Sequence, residues 1–110
     1  MLLVYSNSTH WQAYIEEHWL PAIGEVAVVL NWSDRARWPE QHPLEAEIFR
    51  MWGGDREFNP LDVVIRERGP VQVIRFWQAF RDYKHGNDRA LRAAESELGT
   101  AVGVTLGPAA

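Results

Sequence analysis

A chain of 110 residues, of which 46% are hydrophobic and 24% charged, has the size and balance of one small globular domain. It contains no cysteine, which excludes disulfides, thiolate metal sites and thiol catalysis. Its formal net charge of −4 argues against non-specific nucleic-acid binding, which needs a basic surface.

The hydropathy of the chain gives no membrane signal. No stretch approaches the ~18 consecutive apolar residues of a membrane-spanning helix. The apolar start, Met1–Tyr5, lacks a basic flank and is too short for a signal peptide. We therefore expect a soluble, cytoplasmic domain over residues 1–110, with no membrane contact and a poorly ordered tail over 100–110. The oligomeric state stays open.

The first quarter of the chain has the pattern of a strand followed by a helix. The apolar run Leu2–Tyr5 predicts a first strand. Thr9 and Gln12 have the spacing of a capping box, which predicts a helix beginning near Thr9. Pro21 and Gly24 are expected to end that helix.

A second strand and helix follow. The uninterrupted apolar run Val26–Leu30 predicts a strand that is buried on both faces. Pro43 suits the first position of a helix, and Gly53 with Gly54 would end it. The helical spacing predicts an inner face formed by Leu44, Ile48 and Met51.

The second half of the chain predicts a hairpin and a closing helix. Leu61–Ile65 and Val71–Phe76 are strands whose connection is short enough only for antiparallel neighbours. Gln78–His85 is either a helical turn or an ordered loop. A last helix should open after Gly86 and end at Gly99, with an inner face formed by Leu91, Ala94 and Leu98.

The element order is therefore β-α-β-α-β-β-α. It predicts an α/β three-layer sandwich, in which a mixed four-stranded sheet carries the hairpin at one edge and helices on both faces.

Three short segments resemble one family of this order. Val4–Asn7 is similar to the strand and loop that precede the Cys-x-x-Cys motif of glutaredoxins. Pro60, directly before Leu61–Ile65, sits where thioredoxin-like folds carry a cis-proline. His85–Asp88 lies where glutaredoxins have a glycine-and-aspartate turn. The chain thus resembles the glutaredoxin variant of the thioredoxin-like fold, while flavodoxin-like and other Rossmann-like arrangements stay open.

The resemblance has definite implications. It implies a cis peptide bond before Pro60, and a binding groove between the helix beginning near Thr9 and the proline loop. The two redox positions would fall on His10 and Ala13. Because neither residue has a thiol, the domain is not a thiol-disulfide oxidoreductase.

Three other segments have both a functional and a structural interpretation. The backbone N–H groups of Thr9–Trp11 would form an anion site, or Thr9 would cap while Trp11 packs. Asn31–Arg35 follows a strand end, where ligands of open α/β sheets lie, although such a segment is more often a polar turn with an Asp–Arg pair at the surface. Gly53–Pro60 has the glycines of a phosphate loop but follows a helix, which favours a helix end and connector.

The densest concentration of functional residue types is Arg75–Gly86. This segment holds arginines, a histidine and the only lysine of the chain among four aromatic residues. Such alternation binds anions or anchors a partner, unless the aromatic residues close the core and the charges are solvated.

The sequence therefore predicts a binding module for a protein partner or a small anionic ligand. The alternative is a small enzyme acting on a phosphate- or carboxylate-bearing substrate, with His85 or His10 as acid–base and Arg81 and Lys84 as clamps. The predicted binding residues are Trp77, Arg81, Lys84, His85, Thr9, His10 and Pro60. No catalytic residue, metal site or cofactor is predicted, since the four histidines lack metal-ligand spacing. The alternatives differ in shape, because an enzyme needs a concave site on which Arg81, Lys84 and a histidine converge.

Overall fold

A computed structural model of the chain describes residues 1–53, 59–66 and 68–107. These residues form four strands and six α-helices. The strands are β1 (Leu2–Tyr5), β2 (Val28–Asn31), β3 (Leu61–Val64) and β4 (Gln72–Arg75). The helices are α1 (Gln12–His18), α2 (Leu20–Ile23), α3 (Trp38–Gln41), α4 (Pro43–Trp52), α5 (Trp77–Lys84) and α6 (Arg89–Val102), with a 3-10 helix (Trp32–Arg37) before α3.

The four strands form one mixed sheet in the order β2-β1-β3-β4. Strand β1 is parallel to β2 and antiparallel to β3, which is in turn antiparallel to the edge strand β4. The predicted mixed sheet with a hairpin at one edge is therefore confirmed. The peptide bond between Asn59 and Pro60 is cis, as expected.

Side chains alternate along each strand, so apolar residues lie on both faces of the sheet. Helices cover each of these two apolar faces. Leu3 and Tyr5 of β1 point into the first apolar cluster, which also contains buried residues of α1, α2, α5 and α6. Leu2 and Val4 point into a second cluster on the opposite face, which α3 and α4 close. The prediction of helices on both faces is confirmed.

Strand β2 differs from its prediction. It covers Val28–Asn31 rather than Val26–Leu30, because the backbone N–H of Val26 donates to the carbonyl of Ile23 in a turn. The strand is at the edge of the sheet and pairs only with β1, so Val28 is 40% exposed and only Leu30 is buried. The prediction that this run is buried on both faces was wrong.

Helix α4 begins at Pro43 and is capped by Gly53, as predicted, but its buried face is a different one. Phe49 is its buried residue, and the Phe49 ring lies 5.5 Å from that of Trp38 and 5.6 Å from that of Trp32. Packing these three rings buries a large apolar area, and it determines which side of α4 faces the sheet. Leu44 and Met51, predicted to face inward, are 67% and 70% exposed, while Ile48 packs against the second cluster.

The start of α1 also departs from the prediction. The helix begins at Gln12 with Trp11 at the N-cap position, and no side chain caps it. The side-chain amide of Gln12 donates to Asn7 and Glu16 instead of completing a capping box with Thr9.

The two predicted helix-ending residues lie beyond the end of α1. Helix α1 ends at His18. Pro21 lies in the first turn of α2, and Gly24 caps α2.

Helix α6 continues past Gly99, which was predicted to end it, and stops at Gly103 with a left-handed φ of 77°. Gly99 is needed for a different reason, since a Cβ there would lie 2.4 Å from the carbonyl oxygen of Val104. This close approach lets Val104 and Leu106 pack against the first cluster. The rest of the tail, residues 108–110, lies outside the described residues.

Candidate functional site

Most of the segment Arg75–Gly86 forms the amphipathic helix α5 (Trp77–Lys84), which follows the last residue of β4. Phe76 and Phe80 are fully buried in the first cluster, on the inner side of α5. Trp77, Arg81 and Lys84 follow the spacing i, i+4, i+7 and therefore share the other side. The two interpretations of this segment thus apply to opposite faces of one helix: the phenylalanines close the core, and the indole and the cations face outward.

The outer side of α5 forms one wall of a cavity of about 320 Å³. The opposite wall comes from the turn that precedes α1. The lining residues are His10, Trp11, Trp77, Arg81, Lys84 and His85. Five of the seven predicted binding residues are therefore brought together in one concave site.

Trp11 is a wall of this cavity that the sequence prediction did not include. Its indole N–H donates to the carbonyl of Ser6 at 3.1 Å, and its ring lies 6.2 Å from that of Phe80. These contacts fix the half-buried ring at the cavity. The high tryptophan content was the available signal, but a tryptophan at a helix start is as typical of core packing.

The cavity is cationic. The guanidinium carbon of Arg81 lies 5.5 Å from the centroid of the Trp77 ring, which orients that charge beside the indole. In the described part of the chain, neither Arg81 nor Lys84 forms a salt bridge. Among the described residues, no acidic side chain lines the cavity. This concentration of positive charge contrasts with the net charge of −4 for the whole chain.

The other two predicted residues lie elsewhere. Thr9 is exposed and does not line the cavity. Pro60 is buried, and its carbonyl accepts a hydrogen bond from the backbone N–H of Phe76 at 2.8 Å, just before α5. Pro60 thus contacts the backbone that leads into the helix and not the cavity itself.

Three backbone N–H groups at the turn before α1 already have a hydrogen-bond acceptor and are therefore not available to an anion. The N–H groups of His10, Trp11 and Gln12 all donate to Ser8. The contribution of this turn to the cavity is therefore made by side chains.

The two remaining candidate segments have structural roles where the structure describes them. The side chain of Asn31 accepts from the backbone N–H of Ser33 at 2.9 Å and caps the 3-10 helix. Arg35 stacks on the ring of Trp32 at 4.6 Å. Of the glycine loop, Gly53 caps α4, and residues 54–58 lie outside the described residues.

A buried hydrogen-bond network around Glu95 joins the helices next to the candidate site, and the sequence prediction did not include it. Glu95 of α6 is 2% exposed and accepts hydrogen bonds from Tyr14, Trp19 and Arg92 at 2.8, 2.7 and 2.7 Å. Burial, together with the hydrogen bond and charge of Glu95, raises the pKa of Tyr14, while Arg92 opposes the shift, so the Tyr14 hydroxyl stays protonated. Glu95 shares a helix face with Leu91 and Leu98, which was the available signal.

The network joins the helices that flank the cavity. Tyr14 of α1 also packs edge-on against Phe80 and Tyr83 of α5, at 5.5 and 5.4 Å. Trp19, just after α1, packs on Phe80 at 5.6 Å. Because α1 and α5 are fixed to each other and to α6, the distance between the two cavity walls is fixed as well.

The described residues contain neither a metal-binding cluster nor a membrane-spanning helix. Among those described, no group of three or more histidine, cysteine, aspartate or glutamate side chains is arranged to hold a metal ion. None of the described helices combines the length and apolarity that crossing a membrane requires.

Comparison of the chain with protein-family models, with curated protein sequences and with solved structures found no match.

Proposed function

We propose that the chain is a binding module that holds a small anion in the cavity between α5 and the turn before α1. The observation that carries this proposal is the convergence of Arg81 and Lys84, without acidic neighbours in the lining or salt bridges in the described chain, on a concave surface. Cations held close together repel one another, and an anion between them relieves that repulsion.

The size of the cavity favours a small ligand. Its volume of about 320 Å³ lies at the lower end of the range of about 300 to 1,000 Å³ for small-molecule sites. That is room for one small molecule, or for a single acidic side chain of a protein partner. The guanidinium of Arg81 suits phosphate and carboxylate groups, since it donates two parallel hydrogen bonds.

We propose in addition that the fold is a thioredoxin-like one without redox chemistry. In support, the sheet is mixed and four-stranded, with the hairpin at its edge and helices on both faces. The cavity also lies beside the turn before α1, which is one side of the groove that the resemblance implies, whereas Pro60, on its other side, does not line the cavity. His10, at a redox position of that family, is a cavity-lining residue here.

The test is the double substitution Arg81→Gln with Lys84→Gln. The wild-type protein should be stabilised in a thermal-shift measurement at low salt by inorganic phosphate, since a ligand at 100 times its Kd adds about 2.7 kcal/mol to the free energy of unfolding. The double variant should lose this stabilisation and keep its ligand-free melting temperature, because both side chains are exposed.

A matched control removes two exposed arginines that do not line the cavity, Arg37 and Arg68. The variant Arg37→Gln with Arg68→Gln has the same net charge as the test variant and should respond to phosphate as the wild type does. Equal loss of phosphate stabilisation in both variants would mean that the effect depends only on the net charge of the protein. A large drop in the melting temperature of the test variant with phosphate binding intact would make Arg81 and Lys84 structural residues.

A second candidate function has a specific observation in its favour. His10 and His85 line the same cavity as the two cations, which is the concave arrangement that an enzyme acting on an anionic substrate needs. We favour the binding module because, among the residues that the structure describes, the lining includes no serine, threonine or carboxylate that could act as a nucleophile beside a histidine. Turnover of p-nitrophenyl phosphate that disappears in both His10→Gln and His85→Gln would reverse this preference.

A further inference from the structure

The walls of the cavity are mostly aromatic rings. Trp11 and Trp77 contribute indoles, His10 and His85 contribute imidazoles, and the two remaining lining residues are the cations. No aliphatic residue lines the cavity in the part of the chain that the structure describes. A site that recognised only the charge of an inorganic anion would gain nothing from two indoles at its surface, whereas aromatic walls stack on flat rings.

The indole of Trp11 is held in place before any ligand arrives. The Ser6 carbonyl accepts its N–H, and the Phe80 ring packs against it. A ring that is already fixed loses little conformational entropy when a ligand stacks on it. The geometry of this wall is therefore that of a preformed stacking surface.

The second indole sets the distance between ring and charge. The Arg81 guanidinium lies 5.5 Å from the centroid of Trp77. An anionic group held by Arg81 is consequently within about one ring width of an indole. A ligand that uses both features needs its charged group close to its own ring, and not at the end of a long chain.

We propose that the ligand of this cavity is a small anion that bears a flat aromatic ring beside its phosphate or carboxylate group. The inference rests on the proposed function, because it takes the Arg81 and Lys84 side chains as the anion contact. Aryl phosphates meet this requirement directly, whereas in a mononucleotide the ribose separates the phosphate from the base, so the experiment includes one. The ring lies against the indoles while the anionic group contacts the two cations.

The experiment compares two phosphates of similar size and equal charge that differ in the ring. Isothermal titration calorimetry at low salt should give a Kd for phenyl phosphate about tenfold lower than that for cyclohexyl phosphate. Inorganic phosphate should bind no more tightly than the cyclohexyl compound. A fourth titration with 5′-AMP distinguishes the sources, since tighter binding than phenyl phosphate indicates a nucleotide and weaker binding indicates a simple aryl ligand.

The variant Trp77→Leu removes one stacking surface and leaves the cations. It should bring the ratio of the two Kd values close to 1, because a weaker orientation of Arg81 would affect both phosphates equally. Trp52→Leu is the matched control, because Trp52 is a partly exposed tryptophan of α4 that does not line the cavity. This control should keep the tenfold preference.

The possible failures are distinct. Equal Kd values for phenyl and cyclohexyl phosphate in the wild type, both lost in the Arg81→Gln/Lys84→Gln variant, would overturn the ring preference and leave anion binding standing. A tenfold preference for phenyl phosphate that persists in Trp77→Leu would overturn the assignment of the Trp77 indole as a stacking surface. Absence of binding by all four compounds would overturn the proposed function and this inference together.

Discussion

Replacing Glu95 with alanine should lower the free energy of unfolding by about 3 kcal/mol or more. The buried carboxylate accepts hydrogen bonds from Tyr14, Trp19 and Arg92, so its removal leaves all three donors without that acceptor. The indole N–H of Trp19 is the most affected, because Trp19 is fully buried and cannot turn to water. At about 4 to 8 °C per kcal/mol for a domain of this size, the melting temperature should fall by roughly 12 °C or more.

The matched control is Glu97→Ala on the same helix. Glu97 is exposed and accepts one exposed hydrogen bond from Gln72, so its loss should cost less than about 0.5 kcal/mol. Chemical denaturation monitored by circular dichroism gives both values. Similar values for Glu95→Ala and Glu97→Ala would mean that the buried network contributes nothing to stability. The same Glu95 variant should also weaken phosphate binding, since the network joins the two walls of the cavity.

The stability of the protein should decrease as the pH rises from about 4 to about 8, because of Asp62. This residue lies in β3 opposite Leu3 and Ile74, both members of the first apolar cluster. It is fully buried, and neither carboxylate oxygen has a hydrogen-bond partner among the described residues. Burial raises the pKa of Asp62 from its ordinary value of 3.8 to about 8, while the charge of the α-amino group of Met1 opposes the shift.

The sign follows from comparing the two states. Below about pH 4 the carboxyl is protonated whether the chain is folded or unfolded, and its full contribution to stability is present. Between about pH 4 and 8 the folded state keeps a proton that the unfolded state has released, so raising the pH favours unfolding. At about 1.4 kcal/mol per unit of pKa, the total decrease is on the order of 5 kcal/mol.

Two variants isolate this effect. Asp62→Asn has nearly the same shape but cannot titrate, so the difference in free energy of unfolding between wild type and variant should change with pH in that window. Asp62→Leu should be more stable than the wild type at pH 8, because it buries an apolar side chain in place of an unpaired carboxyl. Parallel pH profiles for wild type and Asp62→Asn, measured by urea denaturation, would contradict the raised pKa of Asp62.

The elements that were predicted correctly are those that local patterns determine. Leu2–Tyr5 forms a strand because a short apolar run that ends at the polar residues Ser6–Ser8 has few alternatives. The connection between β3 and β4 is too short for any arrangement but a hairpin. The rotation of α4 could not be predicted, because Phe49 faces inward only if Trp38 is already in place. Likewise, Val28 is exposed because β2 has no strand on its outer side, which depends on pairing across the whole chain.

Part of the candidate site could be predicted because local spacing along the chain determines it. Trp77, Arg81 and Lys84 share a helix face that their spacing alone defines. His10 was a predicted candidate as well, but the sequence could not show that its turn faces α5. Trp11 was missed because its role depends on that same tertiary contact.

The central position of β1 has a consequence for how the protein is made. This strand is bonded to β2 on one side and to β3 on the other, and β3 is synthesised much later than β2. A nascent chain that has not yet reached Pro60 can form the parallel pair of β1 and β2, but it leaves the other edge of Leu2–Tyr5 without a partner. An apolar strand with an open edge recruits other chains. The first half of the molecule is therefore the part that depends on rapid completion of synthesis, or on a chaperone, to avoid aggregation.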